Sequence, residues 1–571
     1  MAVRRAVTAA QLLLGLSQLA VAVPTAYFGS NGTNATDIPS LGAVASESTV
    51  CSKIGIELLE QGGNAIDALV GTVFCVGVIG MYHSGIGGGG FMLVRDEEGS
   101  FEFVDFRETA PAAYFEDMYV NDTDLSLYGG LAAGVPGELR GLEYVHNKYG
   151  SLPWKKVMTP AVNVARHGFE VTADTARYLA GVSNAEFLTQ DPTWAIDFAP
   201  NGTLVQEGQI MTRKRYADTL ETISEEGPDA FYKGAIAEAT IAALQASNGT
   251  MTVEDLANYT IELRDPVTID YRGYKLTSCS APSGGEVALS ILNIVNGFDS
   301  FSDPAQANLS THRLDEAMRW SYGMRTNLGD PSFVPGMAEY QAEMLSQQNA
   351  ADIRAKISNY TSYNVSFYDP GNLEVLTDHG TSHVVAADRS GLSVSITTTI
   401  NTIFGSRVMV PETGVILNNE MNDFSTPGST NAFGYAPSEA NYIVPGKRPL
   451  SSISPTIVEY PSGGLFFISG SAGGSRIITA TAQIIHHAVD HDMTAREALA
   501  EPRMHDQLSP DYVSFEYAYD NGTTAYLKGL GHTVEWVAPG SSTAQALRLL
   551  PNGTFEAAGE PRQLASGGLA V

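Results

Sequence analysis

The sequence is poor in cysteine, in charge and in basic residues. Its 571 residues include only Cys51, Cys75 and Cys279, too few for a small scaffold held together by disulfides. Charged residues make up 17% of the chain and hydrophobic residues 44%, a composition that excludes intrinsic disorder and favours a large core. With 33 basic against 63 acidic residues, the net charge is −30. Nucleic acid and anionic membranes are therefore unfavourable partners.

Phosphate-binding and metal-binding motifs are scarce. No GxxxxGK(S/T) sequence is present, and Gly85–Gly90, which contains GxGxxG, precedes a strand-like segment instead of a helix. A close backbone approach explains these glycines better than a dinucleotide site. His487 and His491 stand one helical turn apart beside His486 and Asp490, but no third ligand is evident, so we expect a polar helix face. We predict no metal site and no organic cofactor.

The only long apolar run lies at the N-terminus. Residues 1–22 carry Arg4 and Arg5, then an apolar stretch, then Ala20-Val21-Ala22, and Pro24 follows. This order is typical of a secretory signal peptide cleaved near Ala22. The run approaches membrane-spanning length, so an uncleaved signal anchor is the alternative. The sequence predicts a secreted protein, or one at the cell surface if the segment stays as an anchor.

Sequons for N-glycosylation are spread along the chain, which agrees with secretion. They begin at Asn31, Asn34, Asn121, Asn201, Asn248, Asn258, Asn308, Asn359, Asn364, Asn521 and Asn552. In an oxidising compartment Cys51 and Cys75 are a candidate disulfide pair, because each lies in an apolar, helix-compatible stretch. Cys279 would then be a buried free thiol.

Helix-like and strand-like segments occur in both halves of the chain. Residues 43–80 predict two helices, and residues 91–106 predict a pair of strands. Residues 383–387 and 392–400 alternate as the strands of a hairpin, and residues 415–417 predict a further strand. Helices that flank strands from both halves predict one α/β layered body instead of independent modules.

The most informative stretch is Asp378-His379-Gly380-Thr381-Ser382-His383, which leads directly into a predicted strand. A threonine hydroxyl is a poor nucleophile unless a base takes its proton. If the chain is cut between Gly380 and Thr381, the freed α-amine has a pKa near about 8 and can serve as that base. Spacing alone favours an ordinary turn into a strand, so the chemistry needs support from other motifs.

That support comes from motifs distributed over nearly the whole mature chain. They are Gly62–Ala65, the glycine run 85–90, Phe106–Pro111, Asp378–His383, Thr399–Asn401, Asn418–Phe424, Pro449–Ser452 and Gly470–Gly474. In this order they resemble the γ-glutamyltranspeptidase (glutathione hydrolase) family, which belongs to the N-terminal nucleophile hydrolases. Any one of these motifs would be weak evidence, but together they are highly specific.

The resemblance implies a four-layer αββα sandwich formed jointly by the two pieces of a self-cleaved precursor. Residues 23–380 and 381–571 would stay together as a heterodimer in one globular body. Thr381 would be the nucleophile and, through its amine, the base, while Thr399 would hydrogen-bond Thr381 and orient it. The amides of Gly473 and Gly474, ahead of a helix, would form the oxyanion hole.

The implied substrate is glutathione or another γ-glutamyl compound, and the implied acceptor is water, an amino acid or a dipeptide. Arg107 offers a planar fork suited to the substrate carboxylate. The other implied binding residues are Asn401 for either charge, Glu420 and Asp423 for the ammonium group, and Ser451 and Ser452 as hydroxyl donors. Phe433, in the loop between Pro427 and Pro449, is a candidate lid, although a plain surface loop explains it as well.

Two other functions compete with this interpretation. A related acylase of the same fold would act on another amide, such as a glutaryl side chain, and would make little use of the substrate ammonium group. An inactive secreted binding glycoprotein would retain the fold without the chemistry. Intact Thr381, Arg107, Gly473 and Gly474 argue against that second alternative, because binding needs no nucleophile.

Overall fold

Two large β-sheets form the centre of the molecule, in a computed structural model that describes residues 40–368, 380–428 and 437–571. In chain order the strands are β1 (Gly42–Ser46), β2 (Gly89–Arg95), β3 (Phe101–Asp105), β4 (Phe169–Glu170), β5 (Ile210–Met211), β6 (Glu262–Arg264), β7 (Val267–Tyr271), β8 (Tyr274–Ser278), β9 (Gly380–Asp388), β10 (Ser393–Asn401), β11 (Thr456–Glu459), β12 (Leu465–Ala472), β13 (Met504–His505), β14 (Val513–Glu516), β15 (Val534–Val537), β16 (Thr543–Leu549), β17 (Phe555–Ala558) and β18 (Gly567–Ala570). One sheet has the order β18-β1-β9-β10-β2-β3-β6, and the other has the order β17-β16-β12-β11-β8-β7.

The helices cover the outer faces of these two sheets. They are α1 (Thr49–Glu60), α2 (Ala65–Ile79), α3 (Glu138–Tyr149), α4 (Trp154–His167), α5 (Ala173–Ala180), α6 (Phe187–Gln190), α7 (Pro192–Phe198), α8 (Lys214–Glu226), α9 (Asp229–Tyr232), α10 (Ala235–Ala246), α11 (Val253–Ala257), α12 (Gly285–Asn296), α13 (Ala307–Arg325), α14 (Met337–Met344), α15 (Gln347–Lys356), α16 (Arg476–Asp490), α17 (Ala495–Ala500) and α18 (Asn521–Gly529). Helices α1 and α2 pack on the seven-stranded sheet, and α12 and α16 pack on the six-stranded sheet.

The alternation of side chains along β9 shows how the layers are built. Val384 and Ala386 belong to the core under α1 and α2. Val385 and Ala387 belong to a second core, shared with Ile468 of the other sheet. Successive side chains of a strand point to opposite faces, so both faces of this strand are buried. The molecule is therefore an αββα sandwich, which confirms the predicted fold class.

The β9–β10 hairpin lies inside the seven-stranded sheet. Strand β9 pairs with β1, and β10 pairs with β2, both in the antiparallel sense. Within the hairpin, Thr399 stands opposite Thr381, and an irregularity between Thr399 and Asn401 places Asn401 opposite Gly380. The predicted hairpin is confirmed, and it holds the candidate nucleophile at the start of a central strand.

One local prediction was confirmed in part and another was wrong. The two helices predicted in residues 43–80 are present as α1 and α2, but the segment begins with strand β1, and its first helix starts only at Thr49. The second helix starts after Asn64, whose side chain accepts hydrogen bonds from the amides of Ile66 and Asp67. Residues 415–417 make only an isolated bridge, between Ile416 and Met409, because a tight turn at Val410 leaves no room for a longer ladder.

The glycine run has the role predicted for it. A Cβ added to Gly87, Gly88 or Gly90 would lie 2.0–2.1 Å from a backbone oxygen of residues 397–416. Such distances are far below van der Waals contact, so only glycine fits. Strand β2 begins inside this run, at Gly89, instead of a phosphate-binding helix.

Some of the features connected with secretion lie outside the described residues, and the others lie inside them. Residues 1–22, Asn31 and Asn34 lie outside the described residues. The acceptor asparagines from Asn121 to Asn552 are exposed, except Asn359, which is half-buried. Cys51 and Cys75 form a disulfide with Cα atoms 5.3 Å apart, and Cys279 is buried and free. In the part of the chain that the structure describes, no helix is both long and apolar enough to cross a membrane.

Candidate active site

Thr381 is buried on β9, with 5% of its surface exposed. The hydroxyl of Thr399, on the neighbouring strand, donates a hydrogen bond to the carbonyl oxygen of Gly380. The sequence analysis expected this hydroxyl to contact Thr381 itself. In the uncut chain it contacts the carbonyl of the Gly380–Thr381 bond instead. A Cβ on Gly380 would lie 1.9 Å from the Asn401 oxygen, so this position has room only for glycine.

Asn401 links this bond to the acidic turn that follows. Its amide donates to the Thr399 hydroxyl over 2.7 Å, and its side-chain nitrogen donates to Asp423 Oδ1 over 3.2 Å. Asn401 has a positive φ of 69°, which its short polar side chain tolerates better than most. Its side-chain oxygen is buried without a hydrogen-bond partner among the described residues. This oxygen can accept a hydrogen bond from a donor on a bound molecule.

Arg107 lies between the two acidic residues predicted to bind the ammonium group. Its guanidinium donates one hydrogen bond to Glu420 Oε1 and another to Asp423 Oδ2, and all three side chains are buried. Burial alone would lower the pKa of Arg107, but Glu420 and Asp423 outweigh burial and raise it. The predicted carboxylate clamp and the predicted ammonium acceptors therefore meet at one place.

Several residues that position this group had no assigned role in the sequence analysis. Asn418 Oδ1 accepts from the amide of Glu420, and its side-chain nitrogen donates to the carbonyls of Gly87 and Gly134. Asp105 accepts from the backbone amide of Arg107 and pairs with Arg264. Both lie in or beside motifs already singled out, and that proximity is the only sequence signal for them.

Ser451 and Ser452 reach the same region through Asn441. The side chain of Asn441 donates to the carbonyl of Asp423 and accepts from the amide of Leu450. Ser451 Oγ accepts from the amide of Ile453, whereas Ser452 Oγ is buried without a hydrogen-bond partner among the described residues. Ser452 is therefore the better placed of the two to offer a hydroxyl to a bound molecule.

Gly473 and Gly474 connect β12 to α16. Both have positive φ, 122° and 62°, which side chains disfavour. A Cβ on Gly473 would lie 2.5 Å from the carbonyl oxygen of Ser541. The pair precedes the N-terminus of a 15-residue helix, where amides and the helix dipole favour negative charge. This geometry is compatible with an oxyanion, and the role of the two amides stays a prediction.

Glu108 adds a third carboxyl group beside Arg107. It is fully buried, and burial raises its pKa to about 8. Glu420 and Asp423 are the carboxylates that pair directly with Arg107 in the uncut chain.

The candidate lid and the two motif residues that precede Gly380 lie outside the described residues. Phe433 belongs to the gap 429–436, and Asp378 and His379 belong to the gap 369–379. The role of Phe433 as a lid stays a prediction from the sequence.

Comparison with known proteins agrees with this geometry. A sequence model of the family described as "Gamma-glutamyltranspeptidase" matches residues 51–569. The chain belongs to the γ-glutamyltranspeptidase family. It is 50% identical to "Glutathione hydrolase proenzyme" from Arthroderma benhamiae, over 99% of this chain and 98% of that protein.

Solved structures show the same fold in the family and beyond it. Cephalosporin acylase from Bacillus halodurans has a TM-score of 0.82 at 26% identity, and the match covers 96% of this chain and 98% of the acylase chain. γ-Glutamyltranspeptidase from Helicobacter pylori has a TM-score of 0.53 at 32% identity, and the match covers 60% of this chain and 97% of that chain. The fold of this family is therefore shared with an acylase.

Proposed function

We propose that this chain is a γ-glutamyltransferase and glutathione hydrolase, made as a precursor that cuts itself between Gly380 and Thr381. One observation carries the proposal. A continuous path of hydrogen bonds runs from the Gly380 carbonyl through Thr399, Asn401 and Asp423 to Arg107. The path joins the bond to be cut to a group that can hold an amino acid end.

The Thr399 hydroxyl supports the self-cleavage step. Its hydrogen bond to the Gly380 oxygen draws electron density from the carbonyl carbon, which Thr381 Oγ attacks. A carbon–oxygen bond forms, the carbon–nitrogen bond breaks, and the Thr381 nitrogen takes up a proton. Water then hydrolyses the ester, which leaves a Gly380 carboxylate and a free threonine amine. Removing one such donor typically costs about 10²–10³ in rate.

The mature reaction is acyl transfer in two steps. The α-amine takes the proton of Thr381 Oγ, which attacks the γ-amide carbonyl and forms a γ-glutamyl ester. The proton passes to the leaving amine, which is cysteinylglycine when the substrate is glutathione. Water, or the amino group of an amino acid or dipeptide, then takes the γ-glutamyl group and frees the hydroxyl. The amides of Gly473 and Gly474 stabilise the oxyanion in both steps.

Arg107, Glu420 and Asp423 provide recognition of the amino acid end. The substrate carboxylate takes the guanidinium as its partner, and the substrate ammonium takes the two carboxylates. The substrate thus adds one negative and one positive charge to a group that contains one guanidinium and two carboxylates. The net charge of the group does not change when the substrate binds. Burial strengthens these contacts, because water does not screen them. Asn401 Oδ1 and Ser452 Oγ, which have no hydrogen-bond partner among the described residues, add polar contacts.

The relatives support processing. The Arthroderma benhamiae relative is called a proenzyme. The match to the Helicobacter pylori chain covers 60% of this chain, and residues 23–380 are 358 of its 571 residues, or about 63%. Surface asparagines in sequons and a disulfide fit an oxidising compartment outside the cytosol. We propose that the protein is secreted, or held at the cell surface by residues 1–22.

The test is a reducing gel of deglycosylated secreted protein, with N-terminal sequencing of each band. We expect two bands, the smaller beginning Thr381-Ser382-His383, and release of chromophore from a γ-glutamyl anilide. Thr381→Ala should give one uncut band and no release. A parent protein that stays uncut and inactive would contradict the proposal and favour the inactive binding glycoprotein.

A glutaryl acylase is the second candidate, favoured by the likeness to cephalosporin acylase. A glutaryl group has the carboxylate of a γ-glutamyl group but lacks its ammonium. Asp423→Asn separates the two functions, because it removes an ammonium acceptor and keeps the side-chain shape. For a γ-glutamyl enzyme we expect the ratio of γ-glutamyl to glutaryl turnover to fall about tenfold or more. An unchanged ratio would favour the acylase.

A further inference from the structure

The C-terminal end of α16 carries three histidines whose ring nitrogens converge. His486, His487 and His491, here called the histidine cluster, each offer one nitrogen within 4.8 Å of the other two. The ring centroids lie 5.0–6.0 Å apart. The sequence analysis noted His486 and Asp490 beside the pair His487 and His491 but found no third ligand. The structure supplies that ligand, because the ring of His486 turns toward the other two.

Asp490 fixes the orientation of His486. The His486 Nδ1 lies 2.8 Å from Asp490 Oδ2, and the same carboxylate accepts from Arg272, Tyr271 and Ser302. An imidazole that donates through Nδ1 keeps the lone pair of Nε2 free. Metal-binding histidines in proteins are held by carboxylates in this way. A surface histidine without a role needs no such support.

His487 has a ring nitrogen that is available to a bound ion. Its Nδ1 is buried, and it has no hydrogen-bond partner among the described residues. His491 is exposed and caps the helix, so its ring can move to complete the set.

The cavity beside the histidine cluster suits a cation that keeps one coordination position open. A cavity of about 170 Å³ is lined by all three histidines together with Ser302, Asp303 and Gln483. The C-terminus of a helix carries partial negative charge, which favours a cation. Three imidazoles with one free position are a donor set typical of Zn²⁺ and other borderline divalent metals.

We propose that the histidine cluster binds one divalent transition-metal ion, Zn²⁺ by its donor set, outside the γ-glutamyl site. The 15 residues of α16 separate the cluster from Gly473 and Gly474 by about 20 Å. The ion is therefore not a participant in acyl transfer.

A second group of histidines in the molecule has a different character. His312 Nδ1 and His532 Nε2 lie 2.7 Å apart, which is a direct hydrogen bond and too short for two ligands of one tetrahedral ion. His312 Nε2 lies 2.7 Å from the carbonyl oxygen of Ser358. Both ring nitrogens of His312 are therefore engaged in hydrogen bonds, which distinguishes this group from the histidine cluster.

The experiment uses untagged, cleaved protein, stripped with EDTA and dialysed, then titrated with ZnCl₂ by calorimetry. We expect one Zn²⁺ per molecule with a micromolar or tighter dissociation constant. His491→Ala should weaken binding at least tenfold, and His487→Ala/His491→Ala should abolish it. His167→Ala, at an exposed position on α4, should bind as the parent does. Absorption of bound Co²⁺ should report tetrahedral nitrogen ligation in the parent and in His167→Ala, but not in the double variant.

Two results would overturn the proposal. One is a parent protein that binds no Zn²⁺ under these conditions. The other is a double variant that binds Zn²⁺ with unchanged affinity, which would place the ion elsewhere, for example at His312 and His532. His491 is exposed, so its replacement should not unfold the chain, and a matching thermal unfolding curve without metal would verify this. γ-Glutamyl turnover that is the same with and without Zn²⁺ is expected.

Discussion

Arg107 carries one positive charge between the carboxylates of Glu420 and Asp423, with 1% of its surface exposed. A lysine at this position keeps the charge but replaces a planar fork with a single point. We expect Arg107→Lys to cut itself normally and to lose about 10- to 100-fold in kcat/KM for γ-glutamyl substrates, mainly through KM, because one charged hydrogen bond is lost. Steady-state kinetics beside Arg496→Lys, a control at an exposed position on α17, checks this. An unchanged KM would contradict the carboxylate clamp.

The hydroxyl of Thr399 donates a hydrogen bond to the carbonyl of the bond that is to be cut. Thr399→Val keeps the shape of the side chain and removes the donor to the Gly380 carbonyl. We expect self-cleavage to slow about a hundredfold. Thr399→Ser, which retains the hydroxyl, should process far faster than the valine variant. The fraction of uncut chain on a gel over time measures both, and equal rates for parent and valine variant would exclude this role.

The β9–β10 hairpin contains a buried, neutral histidine. Burial lowers the pKa of His383 to about 3, against about 6.5 in an unfolded chain. Below pH 6.5 the unfolded chain binds a proton that the folded chain cannot take until about pH 3. The unfolded state is therefore favoured as the pH falls through this window, and the contribution of His383 to stability is fully present only above it.

His383→Asn should make the free energy of unfolding less dependent on pH. Between pH 6 and 5 we expect the slope to decrease by about 1 kcal/mol per pH unit. Urea unfolding of Thr381→Ala, which keeps the chain in one piece, provides the background for the comparison. His167→Asn, at an exposed position, is the control. Equal slopes for the His383 variant and its background would show that the ring is protonated in the fold.

Strand β12 approaches this hairpin so closely that only glycine fits at one position. A Cβ on Gly470 would lie 2.4 Å from Cε1 of His383. We expect Gly470→Ala to destabilise the protein by about 1–3 kcal/mol, because a buried ring must shift. Gly529→Ala, at the end of α18 with open space around it, should be neutral or slightly stabilising. Thermal unfolding compares them, and equal melting temperatures would contradict the close packing.

At the scale of the whole molecule, the two predicted pieces share both sheets. Strands β9 and β10 lie between β1 and β2, and β11 pairs with β8 of the other piece. Buried ion pairs also cross between the pieces, such as Arg319 with Asp506 and Arg95 with Glu459. Separation would expose two cores at once, so cleavage should leave the body intact.

No disulfide should connect the pieces, because all three cysteines belong to residues 23–380. We expect the cleaved protein to elute as one complex in gel filtration. A denaturing gel run without reductant should still show two bands, matching those of the reduced sample. A single band that splits only on reduction would contradict this arrangement.

Much of this structure follows from local sequence. The hairpin was predictable because β9 and β10 alternate around a short turn, and the residue types of the site were predictable because their motifs occur in family order. The strand at 42–46 was missed because a short buried run resembles the start of a helix. Asn418 and Asp105 were missed because their roles depend on contacts with segments far away in sequence.

The sequence by itself determined the chemistry available to this protein: a threonine after glycine, a guanidinium, two carboxylates three residues apart and a glycine turn before a helix. Only the tertiary structure decided which groups meet. The register of β9 against β10 places the Thr399 hydroxyl on the Gly380 carbonyl, and the directions of the side chains at the end of α16 bring the rings of His486, His487 and His491 together. Register and side-chain direction result from packing two sheets and their helices together, and no local pattern encodes that packing.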